Sequence, residues 1–228
     1  MAEVPEKLKN NYILDCIEID DFQKSKDGTI KYLFKLNDGH RIESVLMKYK
    51  YGYTACVSNQ AGCKMGCNFC ASARIGFVRC LTPGEIISQI LKIEKHSGEK
   101  VSNVVFMGIG EPLDNYDNVI KAIRILNNPK GLNIGARHIS VSTSGLVPRI
   151  YDLANENIQC TLSISLHATT DEKRSSMMPV NNAYNIEELL QACRDYIDKT
   201  NRRISFEYAL AKDNNDNLED AKELVHLL

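Results

Sequence analysis

Apolar and polar residues alternate along two short runs near the start of the chain. The runs lie between Thr29 and Met47 and are separated by Asn37-Asp38-Gly39, a sequence typical of tight turns. Alternation with a period of two on both sides of such a turn predicts a β-hairpin. Residues 1–28 are polar and mixed in charge, with one short alternating piece from Tyr12 to Ile19. This pattern predicts an N-terminal entry segment and not a separate domain.

Beyond residue 80, short apolar runs alternate with helical periodicity. Thr82-Pro83-Gly84-Glu85 is a capping box that starts a helix, and Asn185 with Glu188 starts another. The other predicted elements are helices over 115–127, 147–154 and from 217 onward, and strands over 101–109, 137–142, 160–166 and 203–210. This alternation indicates an α/β fold with a parallel sheet and right-handed crossovers.

Composition and charge limit the class of protein. The chain has 228 residues, of which 43% are hydrophobic and 25% charged, values typical of a globular protein with one full core. Its net charge is −1, so the general basic surface of many nucleic-acid-binding proteins is absent. Neither a membrane-spanning run nor a signal peptide is visible, and we expect a cytoplasmic protein without membrane association.

Three cysteines lie close together in the sequence. Cys63, Cys67 and Cys70 have the spacing C-x₃-C-x₂-C and are surrounded by Gly, Lys and Asn. Residues in such a polar loop cannot all pack into an apolar core, so we expect them to share a ligand. A 4Fe–4S cluster that only carries electrons is held by four cysteines. Three cysteines would leave one iron open to a substrate or cofactor.

Zinc binding and disulfide bonding remain open as alternatives for these cysteines. A structural zinc site needs four ligands, but the nearest histidines, His40 and His96, lie outside the loop. Disulfide bonds are typical of small secreted domains, whereas this chain has eight cysteines in 228 residues and no secretory context. An iron–sulfur cluster is therefore the preferred interpretation.

Several runs along residues 40–228 point to one enzyme family. They are Ala55-Cys56-Val57-Ser58-Asn59-Gln60-Ala61-Gly62-Cys63, Cys67-Asn68-Phe69-Cys70-Ala71-Ser72, Gly76-Phe77-Val78-Arg79, Met107-Gly108-Ile109-Gly110-Glu111-Pro112, Ser142-Thr143-Ser144-Gly145, Ser165-Leu166-His167 and Met178-Pro179-Val180-Asn181. In order and spacing they resemble the radical S-adenosylmethionine (SAM) methyltransferases that modify adenine C2 in ribosomal RNA. The resemblance implies a partial (β/α)₆, TIM-like barrel over residues 51–228, incomplete at its C-terminus, after an N-terminal segment and hairpin over residues 1–50.

The resemblance also implies which residues bind the cofactors. Cys63, Cys67 and Cys70 would hold a 4Fe–4S cluster. The residues that would bind SAM are Gly110, Glu111, Ser142, Ser165, Leu166 and His167. These groups follow predicted strands, and the ends of parallel strands gather the functional groups of such folds. Taken singly, Gly110 and Glu111 also fit an ordinary turn between a strand and a helix, and Ser142 and the stretch from Ser165 to His167 are more often strand-end groups than ligands.

Two further residues would act in catalysis if the resemblance holds. Glu43 would accept a proton from the substrate base. Cys56 would release the methylated product by forming a disulfide with a C-terminal cysteine that carries the methyl group. From the sequence alone, the stronger interpretation of Glu43 is a solvated partner of nearby lysines, and that of Cys56 is a small buried strand residue.

The implied activity is methylation of C2 of an adenosine in 23S rRNA and of the adenosine beside the anticodon in some tRNAs. The implied protein is a monomer that receives electrons from an external donor. Methylation of adenine C8, or cluster and SAM binding without methyl transfer, are the alternatives. The chain ends at Leu227-Leu228 within an apolar helical stretch. We expect the sequence to continue, and the printed chain to lack full activity because the methyl-carrying cysteine is absent.

Overall fold

A computed structural model describes residues 16–228. The strands are β1 (Ile17–Lys24), β2 (Ile30–Leu36), β3 (Arg41–Tyr49), β4 (Gly52–Cys56), β5 (Gln60–Gly62), β6 (Phe77–Cys80), β7 (Val101–Phe106), β8 (Ile139–Thr143), β9 (Thr161–Ser165) and β10 (Ile204–Glu207). The α-helices are α1 (Ala71–Ile75), α2 (Pro83–Ser97), α3 (Tyr116–Asn127), α4 (Val147–Asn155), α5 (Asp171–Met177), α6 (Ile186–Thr200) and α7 (Leu218–Leu227). Short 3₁₀ turns cover Ala136–His138 and Pro179–Asn182.

Eight strands form one sheet in the order β1-β2-β3-β4-β7-β8-β9-β10. The first four pair antiparallel, and β4 and β7 to β10 pair parallel. The two ends of the sheet, β1 and β10, do not pair with each other, so it stays open. The predicted α/β fold with a partial barrel is therefore confirmed for the described residues.

The N-terminal hairpin is confirmed as β2 and β3. Within the entry segment predicted over 1–28, Ile17–Lys24 pairs with β2 as a strand, which the sequence analysis did not predict. The first part of this segment, residues 1–15, lies outside the described residues. The sheet continues from β3 into β4 without interruption, and the division of the chain at residue 50 stays a prediction.

Helices join the parallel strands and pack on the sheet. The capping box of Thr82 and Glu85 starts α2, and a second box of Asn185 and Glu188 starts α6, as the sequence predicts. Helix α2 lies against the N-terminal strands, where buried Gln89 accepts the Ser44 hydroxyl at 2.6 Å. The fully buried apolar side chains of β7, β8 and β9 contribute to one core shared with these helices.

Sequence patterns miss the short elements around the cysteine loop. Strands β5 and β6 form a small separate hairpin. Helix α1 follows the third cysteine with no side-chain cap, and none of its residues is buried. Helix α5 is equally unpredicted. Among residues 16–228, no helix is both long and apolar enough to cross a membrane.

Candidate functional site

A cavity of about 240 Å³ opens at the carboxyl ends of the parallel strands. Its lining comes from the cysteine loop and from the ends of β7, β8, β9 and β10. The predicted site residues that line it are Cys63, Cys67, Cys70, Gly110, Glu111, Ser142, Ser165 and His167. The fold thus brings together groups that are up to about a hundred residues apart in sequence.

The three cysteines are half-buried in this cavity wall. Burial raises the pKa of Cys67 to about 11, and the neighbouring Cys63 and Cys70 thiolates add to the shift. Among residues 16–228, no three His, Cys, Asp or Glu side chains converge closely enough to ligate a single metal ion.

Backbone and amide hydrogen bonds fix the cysteine loop at both ends. The Cys63 N–H donates to the Gly76 carbonyl at 3.1 Å, which closes the loop. Asn68 donates through its backbone N–H to the Met177 carbonyl at 2.9 Å and through its side chain to the Ser176 carbonyl at 2.8 Å. The loop is therefore held against the end of α5, although no residue of α1 is buried.

Glu111 lies just beyond β7 and is only 4% exposed. Its Oε2 accepts the Ser144 N–H at 2.7 Å, and its Oε1 accepts the Leu113 N–H at 3.0 Å. Burial raises the pKa of Glu111, and these two N–H donors oppose the shift. The carboxylate connects the ends of β7 and β8, and its remaining lone pairs can accept a further donor from the cavity.

Because Gly110 has no side chain, its backbone can pack directly against the Gln60 side chain. Its φ is +105°, and a Cβ here would lie 2.5 Å from the Gln60 Cβ. Gln60 accepts the Glu111 N–H at 2.9 Å and donates to Asp114 at 2.8 Å. Asp114 in turn pairs with Lys64 at 2.7 Å. These contacts connect the cysteine loop to the loop that carries Gly110 and Glu111.

Ser142 and Ser165 meet at a carboxylate that the sequence did not indicate. Both hydroxyls donate to Oε2 of Glu207, at 3.2 and 3.4 Å. All three residues line the cavity. Glu207 is the last residue of β10, whereas the predicted strand ran on to residue 210, so the strand-end position that singles it out was not visible.

His167 is fixed as a neutral ring. It has a φ of +57°, and its carbonyl accepts the Asn215 amide at 2.6 Å. Its Nδ1 accepts the Ala209 N–H at 3.0 Å, which places the ring proton on Nε2. Burial, assisted by the charge of Arg174, lowers the pKa of His167 to about 4. The ring packs edge-on against Phe69 of the cysteine loop, with 5.0 Å between centroids.

Arg174 is fully buried and holds two strand ends together. Its guanidinium donates to the carbonyls of Ser144 at 2.6 Å, Ser165 at 3.1 Å and Leu166 at 3.1 Å, and to Asn181 at 3.0 Å. Burial lowers the pKa of Arg174 to about 10, so it stays charged near neutral pH. Leu166 is also fully buried and does not line the cavity. Its predicted part in SAM binding stays a prediction.

The two predicted catalytic residues lie outside the cavity lining. Cys56 ends β4 opposite Val45, and Glu43 is two residues from Val45, so Glu43 and Cys56 share one face of the sheet. The Glu43 carboxylate pairs with Lys31 at 2.8 Å, and both side chains are exposed. Burial raises the pKa of Cys56 to about 11. Their catalytic roles stay predictions.

Comparison with known families identifies the fold. The sequence profile of the Radical SAM superfamily matches residues 57–227. The chain belongs to the radical SAM superfamily. The crystal structure of a radical SAM methyltransferase from Sphaerobacter thermophilus superposes with a TM-score of 0.94 and 44% identity, over 98% of this chain and 67% of that one.

Two curated relatives carry the name "Probable dual-specificity RNA methyltransferase RlmN". The one from Clostridium acetobutylicum is 57% identical over 224 residues, which cover 98% of this chain and 65% of the relative. The one from Staphylococcus saprophyticus is 52% identical over 229 residues, which cover 99% and 63%. This radical SAM chain thus spans just under two thirds of the length of these relatives.

The described residues fit the cofactors of the radical SAM superfamily, a 4Fe–4S cluster and SAM. Cys63, Cys67 and Cys70 supply three thiolate donors to one cavity. Gly110 and Glu111 line the same cavity. Ser144 also lines the cavity, and its hydroxyl is buried without a hydrogen-bond partner among residues 16–228. The predicted cofactors are confirmed through the family, and the assignment of each residue to them stays a prediction.

Proposed function

We propose that the protein is a radical SAM methyltransferase that acts on C2 of an adenosine in 23S rRNA and of the adenosine beside the anticodon in some tRNAs. The observation that carries this proposal is the single cavity that contains three cluster-type cysteines, Gly110 with Glu111, and two strand-end serines. The names of the curated relatives support RNA as the substrate.

Different residues of the cavity would bind the cluster and SAM. The cysteines would hold the cluster, and Glu111 would accept a hydrogen bond from the SAM ammonium group. His167, neutral and protonated on Nε2, would donate a hydrogen bond. When bound, the cluster and SAM supply radical chemistry, which adenine C2 requires because this carbon is not nucleophilic.

Glu43 and Cys56 would act on the RNA from the face of the sheet that they share. Glu43 would take up the ring proton, and Cys56 would form a disulfide during turnover only. All eight cysteines are free in the structure. The protein would work as a monomer in the cytoplasm with an external electron donor.

Anaerobic reconstitution tests the proposal. The protein from its complete reading frame is loaded with iron and sulfide, then incubated with SAM, dithionite and 23S rRNA or tRNA. We expect 5′-deoxyadenosine and 2-methyladenosine by mass spectrometry, and neither product from Cys67→Ala. The appearance of 8-methyladenosine would favour the C8 alternative. Bound cluster and intact SAM without methylated RNA would favour a binding protein.

A further inference from the structure

A second cavity, of about 400 Å³, lies at the amino ends of β9 and β10. We call it the arginine cavity, and its lining residues are Thr161, Asn201, Arg202, Arg203, Ile204 and Ser205. Its volume is within the range of about 300–1,000 Å³ that is typical of ligand pockets. The residues that end the same two strands, Ser165 and Glu207, line the cavity that contains the cysteines. The arginine cavity is therefore separate from the cofactor site and lies at the opposite end of two shared strands.

The lining of the arginine cavity carries positive charge and no negative charge. None of its residues is acidic, and within residues 16–228 neither guanidinium forms an ion pair or a hydrogen bond. The Nε atom of Arg202 is also buried without a hydrogen-bond partner. A buried donor without an acceptor costs free energy. An anionic ligand in this cavity would supply the acceptor.

Helix α6 ends at Thr200, directly before the cavity, which gives the two arginines a structural alternative. Cations stabilise the last turn of a helix through its dipole and by donating to its final carbonyls. Here the helix ends through Asn201, which has a φ of +52° and donates its backbone N–H to the Ile197 carbonyl at 2.8 Å. Within residues 16–228, no guanidinium donates to a carbonyl of α6. The arginines are therefore not needed as caps, and their two full charges exceed the partial charge of the helix end.

Hydroxyl groups of β9 and β10 add neutral donors to the arginine cavity. Ser205 pairs in register with Ser163, and Glu207 pairs with Ser165. Because alternate residues of a strand share a face, Thr161 and Ser205 lie on the same side of the sheet as Ser165 and Glu207. Within the described part of the chain, neither the Thr161 nor the Ser205 hydroxyl forms a hydrogen bond. Thr161 and Ser165 are four residues apart, which is about 13 Å along the strand. Only a ligand longer than this, such as an RNA chain, could occupy both cavities.

We propose that the arginine cavity binds the phosphate group of a nucleotide, either free or within an RNA chain. The planar guanidinium group donates two parallel N–H bonds to phosphate oxygens. A phosphate group presents more acceptor oxygens than a carboxylate and thus suits two guanidinium groups together with two hydroxyls. The cavity is larger than one phosphate group, which leaves room for the rest of a nucleotide. Binding of a free nucleotide does not depend on the proposed methyl transfer, whereas binding of RNA rests on the proposed function.

Calorimetric titration tests the inference with the protein from its complete reading frame. The probes are inorganic phosphate and adenosine monophosphate (AMP). The variants are Arg202→Gln and Arg203→Gln, and the matched control is Arg194→Gln, an exposed arginine on α6 that does not line the cavity. Thermal melting establishes that each variant is folded. Filter binding of a 23S rRNA fragment at several salt concentrations provides the RNA measurement.

We expect Arg203→Gln and Arg202→Gln to weaken AMP binding about 10-fold or more, the loss of a charge-assisted hydrogen bond. Wild type and Arg194→Gln should bind AMP equally. If the phosphate belongs to RNA, Arg203→Gln should also lower the slope of log K against log salt by about 1, the release of one counterion. Arg203 is exposed, so its replacement decides the question even if Arg202→Gln does not fold.

The outcomes distinguish the two sources of phosphate from a failure of the inference. Loss of AMP binding with unchanged RNA affinity would assign the cavity to a free nucleotide. A lower RNA affinity and salt slope in Arg203→Gln, without AMP binding in the wild type, would assign it to the RNA chain. Equal binding of phosphate, AMP and RNA by wild type, Arg203→Gln and Arg194→Gln would overturn the inference. Methylation of RNA by the wild type is measured separately, and its absence would remove the proposed function while the AMP titration still decides the inference.

Discussion

The Ser144 N–H donates to Oε2 of Glu111 across 2.7 Å, and this bond joins the carboxyl ends of two neighbouring parallel strands. Oε1 of the same carboxylate accepts the Leu113 N–H at 3.0 Å. Both oxygens therefore act as acceptors toward the backbone. A carboxamide cannot replace them, because its NH₂ group would face one of the two N–H donors.

We expect Glu111→Gln to destabilise the cluster-free chain by about 1–3 kcal/mol, the cost of a buried donor without an acceptor. Urea denaturation of wild type, Glu111→Gln and the exposed control Glu172→Gln measures this difference. Equal midpoints for all three would show that the contact between the strand ends does not need a carboxylate.

Gly110→Ala should be far more disruptive than Gly39→Ala. Both glycines have positive φ, +105° and +87°, so alanine is strained at either position. Only at Gly110 would the new Cβ also lie 2.5 Å from the Gln60 side chain; at Gly39 nothing lies within 4 Å. We expect about 1 kcal/mol of destabilisation at Gly39 and at least about 1–3 kcal/mol more at Gly110. Thermal and urea unfolding measure both, and equal losses would contradict the close contact.

Each of Cys63→Ala, Cys67→Ala and Cys70→Ala should lose most of the bound iron after anaerobic reconstitution, because a cluster held by two thiolates is poorly retained. Cys80→Ala is the control, since Cys80 is also half-buried but does not line the cavity. Iron and sulfide analysis measures the result. Full iron in any of the three variants, or zinc in the wild type, would contradict the assignment.

The stability of the cluster-free chain should fall between pH 6.5 and about 4 through His167. Its pKa is lowered to about 4 in the folded chain, whereas an unfolded histidine titrates near 6.5. Over this interval the unfolded chain binds a proton on this histidine and the folded chain does not. The free energy of unfolding is therefore highest above about pH 6.5 and decreases as the pH falls. The shift corresponds to up to about 3 kcal/mol.

His167→Asn removes this titration and keeps a residue type that tolerates the positive φ at this position. Urea denaturation at pH 7 and pH 4.5 should show a smaller pH dependence for His167→Asn than for wild type. The same loss of stability in both proteins would assign the effect to other groups.

Where the local sequence rules agree with the tertiary structure, the sequence was sufficient to predict the helix or strand. Thr82 with Glu85 places the start of α2, and Asn185 with Glu188 places the start of α6. The apolar runs of β7, β8 and β9 predict buried strands, and the placement of Glu111, Ser142 and Ser165 at the cavity follows from the rule that strand ends form the site. The three cysteines were equally predictable as a site, because their C-x₃-C-x₂-C spacing is unusual.

Contacts between distant segments account for what the sequence did not show. Asp171–Met177 is a polar run that suggests solvent exposure, yet Arg174 within it is fully buried, because carbonyls from two strand ends and the Asn181 side chain accept its N–H groups. Glu207 stands inside an apolar–polar run, and only the observed end of β10 marks it as a site residue. Helix α1 buries nothing, so no apolar pattern could reveal it.

The last contacts of the cavity come from one short segment. Ser165 donates to Glu207 at the end of β10, and the Ala209 N–H just beyond it fixes the His167 ring. The cysteine loop is anchored elsewhere, through Asn68 on the carbonyl of Met177. A ligand that contacts both parts would therefore connect two separately anchored segments and slow amide hydrogen exchange in β10.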